Sequence, residues 1–221
     1  MPPPVLSLLE SRVLGVLIEK QHTVPDSYPL SLVALTSGCN QKSSRDPVID
    51  VAETEVQAAI DSLKHALLVI ETSGGRVMRY AHNFGRVFEV PPQSVALLAV
   101  LMLRGPQTAG ELRLNCERLY RFGDISAVEA FLQELSQRAS GALVVELPRQ
   151  PGAREPRWAH LLSGAPVIPE KFHAIAGEPA SDVVTLGEIA ALRATVTQLT
   201  DELNAVKSTV ARLCKELGIE Y

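Results

Sequence analysis

Two stretches of the chain show the same alternation of hydrophobic and polar positions. Residues 68–71 (Leu-Val-Ile-Glu), a glycine turn and residues 79–82 (Arg-Tyr-Ala-His) have the pattern of a β-hairpin. Residues 143–146 (Leu-Val-Val-Glu) and 157–160 (Arg-Trp-Ala-His), joined by a turn-rich stretch, repeat this pattern. The recurrence predicts an internal structural repeat with one hairpin in each copy.

An amphipathic helix is predicted immediately before each hairpin, because apolar residues there follow the i, i+3, i+4, i+7 spacing of a helix with one buried face. Further upstream, Leu14-Gly-Val-Leu-Ile18 corresponds to Leu98-Ala-Val-Leu-Met102. The order helix, helix, helix, hairpin is therefore predicted twice. The buried helix positions are Val56, Ala59, Ile60 and Leu63 in the first repeat and Val128, Phe131, Leu132 and Leu135 in the second.

Helix starts are indicated by a serine or threonine three residues before a glutamate, a pair that can satisfy free amides at a helix N-terminus. Pro91-Pro92 separates the two repeats, since a helix does not continue through this pair. The capping pairs are Ser7 with Glu10, Thr108 with Glu111, Ser126 with Glu129, and Thr185 with Glu188.

Three helices followed by a hairpin is the plan of the winged helix, in which the third helix is the usual recognition element and the hairpin is the wing. We therefore predict a mainly α fold with small β-hairpins (α+β), made of two tandem winged helix-turn-helix domains and a C-terminal coiled-coil helix. The predicted segments are domain 1 (1–90), domain 2 (91–164), a linker (165–184) and the coiled-coil dimerisation helix (185–221).

The C-terminal segment carries a seven-residue hydrophobic repeat. Mostly β-branched residues at a and mostly leucine at d favour a parallel two-stranded coil, hence a homodimer. The alternative is a helix that folds back on its own chain. An apolar seam of only two positions per heptad suits a partner helix better than a globular surface. The a positions are Ile189, Val196, Leu203, Val210 and Leu217, and the d positions are Leu192, Leu199, Val206 and Leu213.

The first repeat is longer than the second by about a dozen residues between its second and third helices. We assign the extra residues to the polar segment 37–48, whose density of donors suits a phosphate or a carboxylate. The alternative is a solvated loop in which Arg45 pairs with Asp46. The candidate nucleic-acid or anion-binding residues of this loop are Asn40, Gln41, Lys42, Ser43, Ser44 and Arg45.

The wings add Arg76, Arg149 and Arg154 to the candidate nucleic-acid set, because wing arginines commonly contact the DNA backbone. Arg79 and Arg157 recur beside an aromatic residue at equivalent places, which favours a structural role in the return strand. The same argument predicts that Tyr80 and Trp158 are core or half-core residues, and that His82 and His160 lie at strand ends.

The charge balance leaves two functions open. A net charge of −4 and an isoelectric point near 5.8 mean that any basic surface is local. The third helices expose carboxylates, including Glu53, Glu55 and Glu129, which repel phosphates. We favour a DNA-binding protein of transcription-regulator type. The alternative is an adapter whose acidic winged-helix faces bind a protein partner.

No catalytic motif and no cofactor motif appears in the sequence, so we expect a non-enzymatic protein. Cys39 with His22 or His65 is the one conceivable nucleophile pair, and a buried thiol is the better interpretation. The scattered cysteines and histidines predict neither disulfides nor a metal site. Because no signal peptide or membrane-length apolar run is present, a cytoplasmic protein is expected.

Residues 14–20, 23–30 and 39–47 (Cys-Asn-Gln-Lys-Ser-Ser-Arg-Asp-Pro) resemble the YceH family of bacterial proteins. The run from Asn40 to Pro47 is the most specific part of this resemblance, which extends over residues 5–163. The resemblance implies a tandem winged-helix fold and leaves the biochemical role open.

Overall fold

The computed structural model describes residues 5–73, 77–150 and 152–166, which belong to one structural unit. These ranges contain seven α-helices, one short 3₁₀ helix (Pro25–Ser27) and two small antiparallel sheets, so the mixed helix-and-hairpin class is confirmed. The predicted coiled-coil segment lies outside the described residues. The helices are α1 (Leu8–Thr23), α2 (Leu32–Cys39), α3 (Glu53–His65), α4 (Phe84–Val87), α5 (Pro92–Arg104), α6 (Ala109–Asn115) and α7 (Ile125–Ser136), and the strands are β1 (Leu30–Ser31), β2 (Val69–Ser73), β3 (Met78–His82), β4 (Val144–Glu146) and β5 (Trp158–His160).

Both predicted hairpins are confirmed. In the first repeat the strand order is β1-β3-β2, and Tyr80 of β3 pairs with Leu30 of β1. In the second repeat β4 pairs with β5, and Gln107 forms a single antiparallel bridge to Trp158. This bridge stands where β1 stands in the first repeat, so the two sheets are built on the same plan.

The predicted buried faces of the third helices are confirmed, with Phe131 half-buried and the other seven positions buried or nearly so. The capping boxes at Ser7 and Thr108 are also confirmed. The predicted cap at Ser126 is wrong. Asp124 caps α7 instead, and its Oδ1 accepts a hydrogen bond of 2.8 Å from the amide of Ala127.

The two repeats share one hydrophobic core, because α1 packs directly against α5. All residues of α1 from Ser11 to Ile18 are buried. The backbone amide of Leu6 donates to the carbonyl of Leu162, which ties the start of the first repeat to the end of the second. The predicted division into domains at residues 90 and 91 falls between α4 and α5, and it stays a prediction. Among the described helices, none combines the length and the apolar composition that crossing a bilayer requires.

The excess length of the first repeat is distributed and does not form a single insertion. The third helix begins 45 residues after the first in repeat one and 33 residues after it in repeat two. The connection before the third helix accounts for only part of this difference, with thirteen residues (40–52) against nine (116–124). The remainder lies in a longer α1, a longer link from α1 to α2 and a slightly longer α2. Residues 37–39, which we assigned to the insertion, close α2.

Candidate functional site

Arg45, predicted to bind an anion from an exposed loop, lies inside the protein. Its side chain is fully buried and forms a bidentate ion pair with Glu19 of α1, with Nη1–Oε1 and Nη2–Oε2 distances of 3.1 and 2.6 Å. Nε donates to the carbonyl of Gly38. The alternative pairing with Asp46 is also not the one observed. The anion that Arg45 binds is therefore a carboxylate of its own chain.

Arg12 of α1 is a second arginine buried beneath the same loop. Its guanidinium donates to the carbonyl oxygens of Cys39 at 3.2 Å and Pro47 at 2.6 Å, and it is fully buried. Burial and the nearby charge of Arg45 lower the pKa of Arg12. Arg12 from α1 and Arg45 from within the loop thus fix the segment from Gly38 to Pro47 by hydrogen bonds to its backbone.

Most of the remaining loop side chains also bond within the protein. Asn40 forms two hydrogen bonds to the backbone of Val51, and Ser44 accepts one of 2.7 Å from Arg104 of α5. Gln41 accepts from Lys20 and Arg45 and donates to Ser43. Lys42 and Ser43 point outward, and Lys42 has no hydrogen-bonding partner among the described residues. Of the predicted set, Lys42 is the one cation of this loop that faces solvent.

The structural interpretation of the return-strand arginines agrees with their contacts. Arg79 donates to the carbonyl of Pro29 at 2.7 Å, and Arg157 donates to the carbonyl of Pro106 at 3.0 Å. Each arginine therefore joins the hairpin to the segment between the first two helices of its repeat. Tyr80 and Trp158 are buried as predicted.

The histidines that close the two hairpins are half-buried and lie at the ends of β3 and β5. Burial lowers the pKa of both His82 and His160 to about 4, and the charge of His22 contributes at His82. Nδ1 of each ring is buried without a hydrogen-bonding partner in the described part of the chain. Both rings are therefore neutral at pH 7.

The predicted wing residues Arg149 and Arg154 are exposed on the connection between β4 and β5, and neither forms an ion pair within the described residues. Arg76 lies outside those residues. Glu155 lies on the same connection. Its Oε2 is 4.0 Å from the position that a Cβ would occupy on Gly110 of α6. Cδ1 of Ile125, the first residue of α7, lies 3.8 Å from the same point. The connection between β4 and β5 therefore approaches the start of α6, which also lies against the first residue of α7.

Sequence reasoning missed three arginines at the turn between α6 and α7. Arg113 lies on α6, and Arg118 and Arg121 lie on the following loop. Arg118 and Arg121 are exposed. Three arginines within nine residues are visible in the sequence. The polar segment of the first repeat is richer in hydrogen-bond donors and was therefore the stronger candidate. The second repeat therefore presents cations from this turn as well as from the connection between β4 and β5.

The predicted buried thiol at Cys39 is confirmed. The side chain has no exposed surface, and burial raises its pKa to about 12, so the thiolate that a nucleophile requires is not formed at neutral pH. Within the ranges that the structure describes, no three histidine, cysteine or acidic side chains are grouped so as to hold a metal ion.

Comparisons with known proteins place this architecture among bacterial relatives. A family model described as "Protein of unknown function, DUF480" matches residues 6–153, which include the first repeat and the second as far as the connection between β4 and β5. A UPF0502 protein of Dechloromonas aromatica is 57% identical over 213 residues, 96% of this chain and 98% of the relative. UPF0502 proteins of Burkholderia cenocepacia (56% over 215 residues, 97% and 90%) and Methylibium petroleiphilum (57% over 216 residues, 98% and 91%) are similar over nearly their whole length.

Proposed function

Because the chain belongs to the DUF480 (UPF0502) family, whose description assigns no function, we propose from its own geometry that it is a tandem winged-helix protein that binds the phosphate backbone of duplex DNA through its second repeat. The resemblance to the YceH family is confirmed by this membership.

The order of elements supports the winged-helix assignment. Each repeat has three helices and a hairpin, and the segment between the first two helices pairs with the return strand of the hairpin. This pairing is what the winged-helix plan needs in order to hold the wing beside the third helix. The contacts of Arg79 and Arg157 stabilise it in both repeats.

One observation carries the assignment of DNA binding to the second repeat: exposed arginines without a carboxylate partner in the described residues stand on its turn and wing. These are Arg118, Arg149 and Arg154. Winged helices contact DNA phosphates from these two places. The first repeat offers Lys42 alone on the equivalent connection, because Arg45 is bound to Glu19.

The exposed faces of the third helices determine the kind of DNA recognition. On α7 the exposed residues include Glu129, Gln133 and Glu134, which suit contact with phosphates poorly. Affinity would therefore come from turn and wing arginines that contact the backbone, with little dependence on base sequence. The predicted homodimer would bring two such surfaces to one duplex and strengthen binding through avidity.

The test is fluorescence anisotropy of a labelled random-sequence duplex. If each chain makes three phosphate contacts, its affinity for the duplex should fall about fortyfold between roughly 50 and 200 mM salt. The triple variant Arg118→Glu, Arg149→Glu, Arg154→Glu should lose binding at both salt concentrations. Arg86→Glu is the matched control, because Arg86 is exposed on α4, away from the turn and the wing, and its binding should equal that of the wild type.

Two results would refute the proposal. The first is the absence of binding at the lower salt concentration. The second is a triple variant that binds as tightly as Arg86→Glu, since the charge on turn and wing would then contribute nothing.

A second candidate function, a protein adapter, is favoured by the first repeat. Its α3 exposes Glu53 and Asp61, and a basic partner would complement them. The test substitution is Glu53→Lys alone, because Asp61 is already paired within its own helix. Glu55 is left unchanged because it accepts a hydrogen bond from the amide of Ala52 at the helix start. Loss of a copurifying partner in this variant, with retention in the control Glu129→Lys, would support the adapter.

A further inference from the structure

A cleft of about 420 Å³ opens between α6 and the loop that precedes α7. This volume lies within the range of sites that bind small molecules. The cleft does not include the turn and wing residues to which we assign DNA binding, so it is a separate feature of the second repeat. Its lining residues are Arg113, Leu114, Glu117, Arg121, Phe122 and Gly123.

Arg113 gives the cleft a positive charge that no carboxylate of the described residues neutralises. Its Nη2 donates to the carbonyl of Gly123 at 3.2 Å, and this bond fixes the guanidinium between helix and loop. Within the same part of the chain Nη1 of Arg113 forms no hydrogen bond, and it is not occluded from solvent as Nε is. A half-buried guanidinium with unused donor capacity favours the approach of an oxyanion.

Arg121 adds a second cation at the mouth of the cleft. It pairs with Glu117 at 3.2 Å, but both side chains are largely exposed, at 83% and 60%. Exposed pairs of this kind are weak and exchange readily with other partners. Two arginines and one glutamate leave the lining with a net positive charge.

The remaining wall of the cleft is apolar. Phe122 is buried and held by Tyr120 and Phe131, with ring-centroid distances of 5.0 and 6.0 Å. Leu114 projects from α6 with 69% of its surface exposed. Phe122 and the exposed Leu114 together give the cleft an apolar part that suits the burial of a flat apolar body.

We propose that this cleft binds a small organic anion, one in which a phosphate or carboxylate group is joined to an aromatic body. The oxyanion would accept hydrogen bonds from Arg113 and Arg121, and the ring would pack on Leu114 and Phe122. Such a ligand site on the turn between α6 and α7 would allow a metabolite to alter what the second repeat binds.

The experiment is a titration of the ¹⁵N-labelled full chain with phenyl phosphate, followed by backbone amide NMR. A fragment of this size is expected to saturate with a dissociation constant of about 1 mM. The amides of Gly123 and Leu114 should move most. Inorganic phosphate lacks the ring and benzyl alcohol lacks the charge, so each should bind at least about tenfold more weakly.

Arg121→Glu and Leu114→Glu place a negative charge at two exposed positions of the cleft, and each should weaken phenyl phosphate binding by about tenfold or more. Arg118→Glu is the matched control, because Arg118 lies on the same loop and does not line the cleft. It should retain phenyl phosphate binding and lose affinity for DNA. The two proposals therefore fail separately.

Three results would overturn the proposal: no saturable shift at the cleft, equal shifts with benzyl alcohol, or equal weakening by Arg118→Glu and Arg121→Glu. Circular dichroism of each variant confirms folding before titration. If Leu114→Glu does not fold, Arg121→Glu decides the outcome, since an arginine so exposed contributes little to the fold.

Discussion

Gly15 of α1 lies against Ala99 of α5, and these two residues occupy equivalent positions in the two repeats. A Cβ on Gly15 would stand 3.5 Å from the carbonyl oxygen of Ala99 and 2.9 Å from Cγ of Leu103. The equivalent first helices of the two repeats therefore meet where one of them has no side chain. Glycine inside a helix costs up to about 1 kcal/mol relative to alanine, and here it permits the close approach of α1 and α5.

Gly15→Ala is expected to destabilise the protein by about 1–3 kcal/mol, although the same change usually stabilises a helix, because the new methyl group overpacks the junction. Gly110→Ala in α6 is the control. Its Cβ would have no neighbour closer than 3.8 Å, so its stability should be unchanged or slightly higher. The measurement is denaturant unfolding of both variants. Equal effects would mean that the junction tolerates a methyl group.

The ion pair of Arg45 with Glu19 leads to a second prediction. Glu19→Gln leaves a buried guanidinium without its counter-charge, and this should cost about 3 kcal/mol in the free energy of unfolding. Arg121→Ala, which breaks an exposed pair, should cost less than about 1 kcal/mol. Urea unfolding at pH 7 compares the two variants. Similar losses in the free energy of unfolding would contradict the argument that burial makes the Arg45–Glu19 pair the more important one.

The same pair makes stability depend on pH. Burial alone raises the pKa of Glu19, but the hydrogen bonds and charge of Arg45 outweigh it and lower the pKa below its ordinary value of 4.5. The stabilisation is therefore present above pH 4.5 and is lost as the pH falls through the lower pKa of the folded state. The difference between wild type and Glu19→Gln should accordingly shrink below pH 4.5.

His82 and His160 give a prediction at higher pH. Their pKa values of about 4 lie below the ordinary 6.5, so the unfolded chain takes up protons first as the pH falls. Their contribution to stability is complete above pH 6.5 and is lost between pH 6.5 and 4. In NMR titrations the ring protons of both should show midpoints near pH 4, and a midpoint near 6.5 for either would show that its ring is not desolvated.

The sequence predicted those features that depend on short-range periodicity. The stripe from Val56 to Leu63 and the alternation of residues 79–82 have periods of 3.6 and 2, and each leaves one face apolar wherever the element packs. The caps at Ser7 and Thr108 were predictable because both partners lie within one turn. At α7 the chain offered Asp124 and Ser126 as caps, and local pattern alone does not choose between them.

The environment of the polar loop could not be predicted in this way. Arg45 has its position because Glu19, 26 residues earlier, lies beneath it, and Ser44 is held by Arg104 of the other repeat. The first contact depends on how the loop folds onto α1 and the second on the packing of α1 against α5, and no local pattern encodes either. For the same reason a loop rich in donors resembled a ligand site while its donors bind the protein's own backbone and side chains.

The roles of two neighbouring arginines on the connection between β4 and β5 can be distinguished by experiment. Arg157→Ala removes the bond to the carbonyl of Pro106 and should lower the free energy of unfolding by about 1–2 kcal/mol. Arg154→Ala should leave stability unchanged and weaken DNA binding by a few fold, because Arg154 is exposed. Thermal melts and anisotropy on both variants test this division. If Arg154→Ala is the less stable of the two, the structural and binding roles have been assigned in reverse.

The heptad pattern yields the remaining prediction, which rests on the sequence because residues 167–221 lie outside the described part of the chain. Val196→Asp with Leu203→Asp places two charges in the predicted seam and should convert a dimer into a monomer while both repeats stay folded. Gln198→Asp with Asn204→Asp puts the same residue type at predicted c and b positions, away from the predicted seam, and should leave the dimer intact. Light scattering distinguishes the two masses. A seam variant that remains dimeric would mean that the chains associate elsewhere. Its DNA affinity would then equal that of the wild type. A monomeric variant should instead bind DNA more weakly, because it has lost the second binding surface.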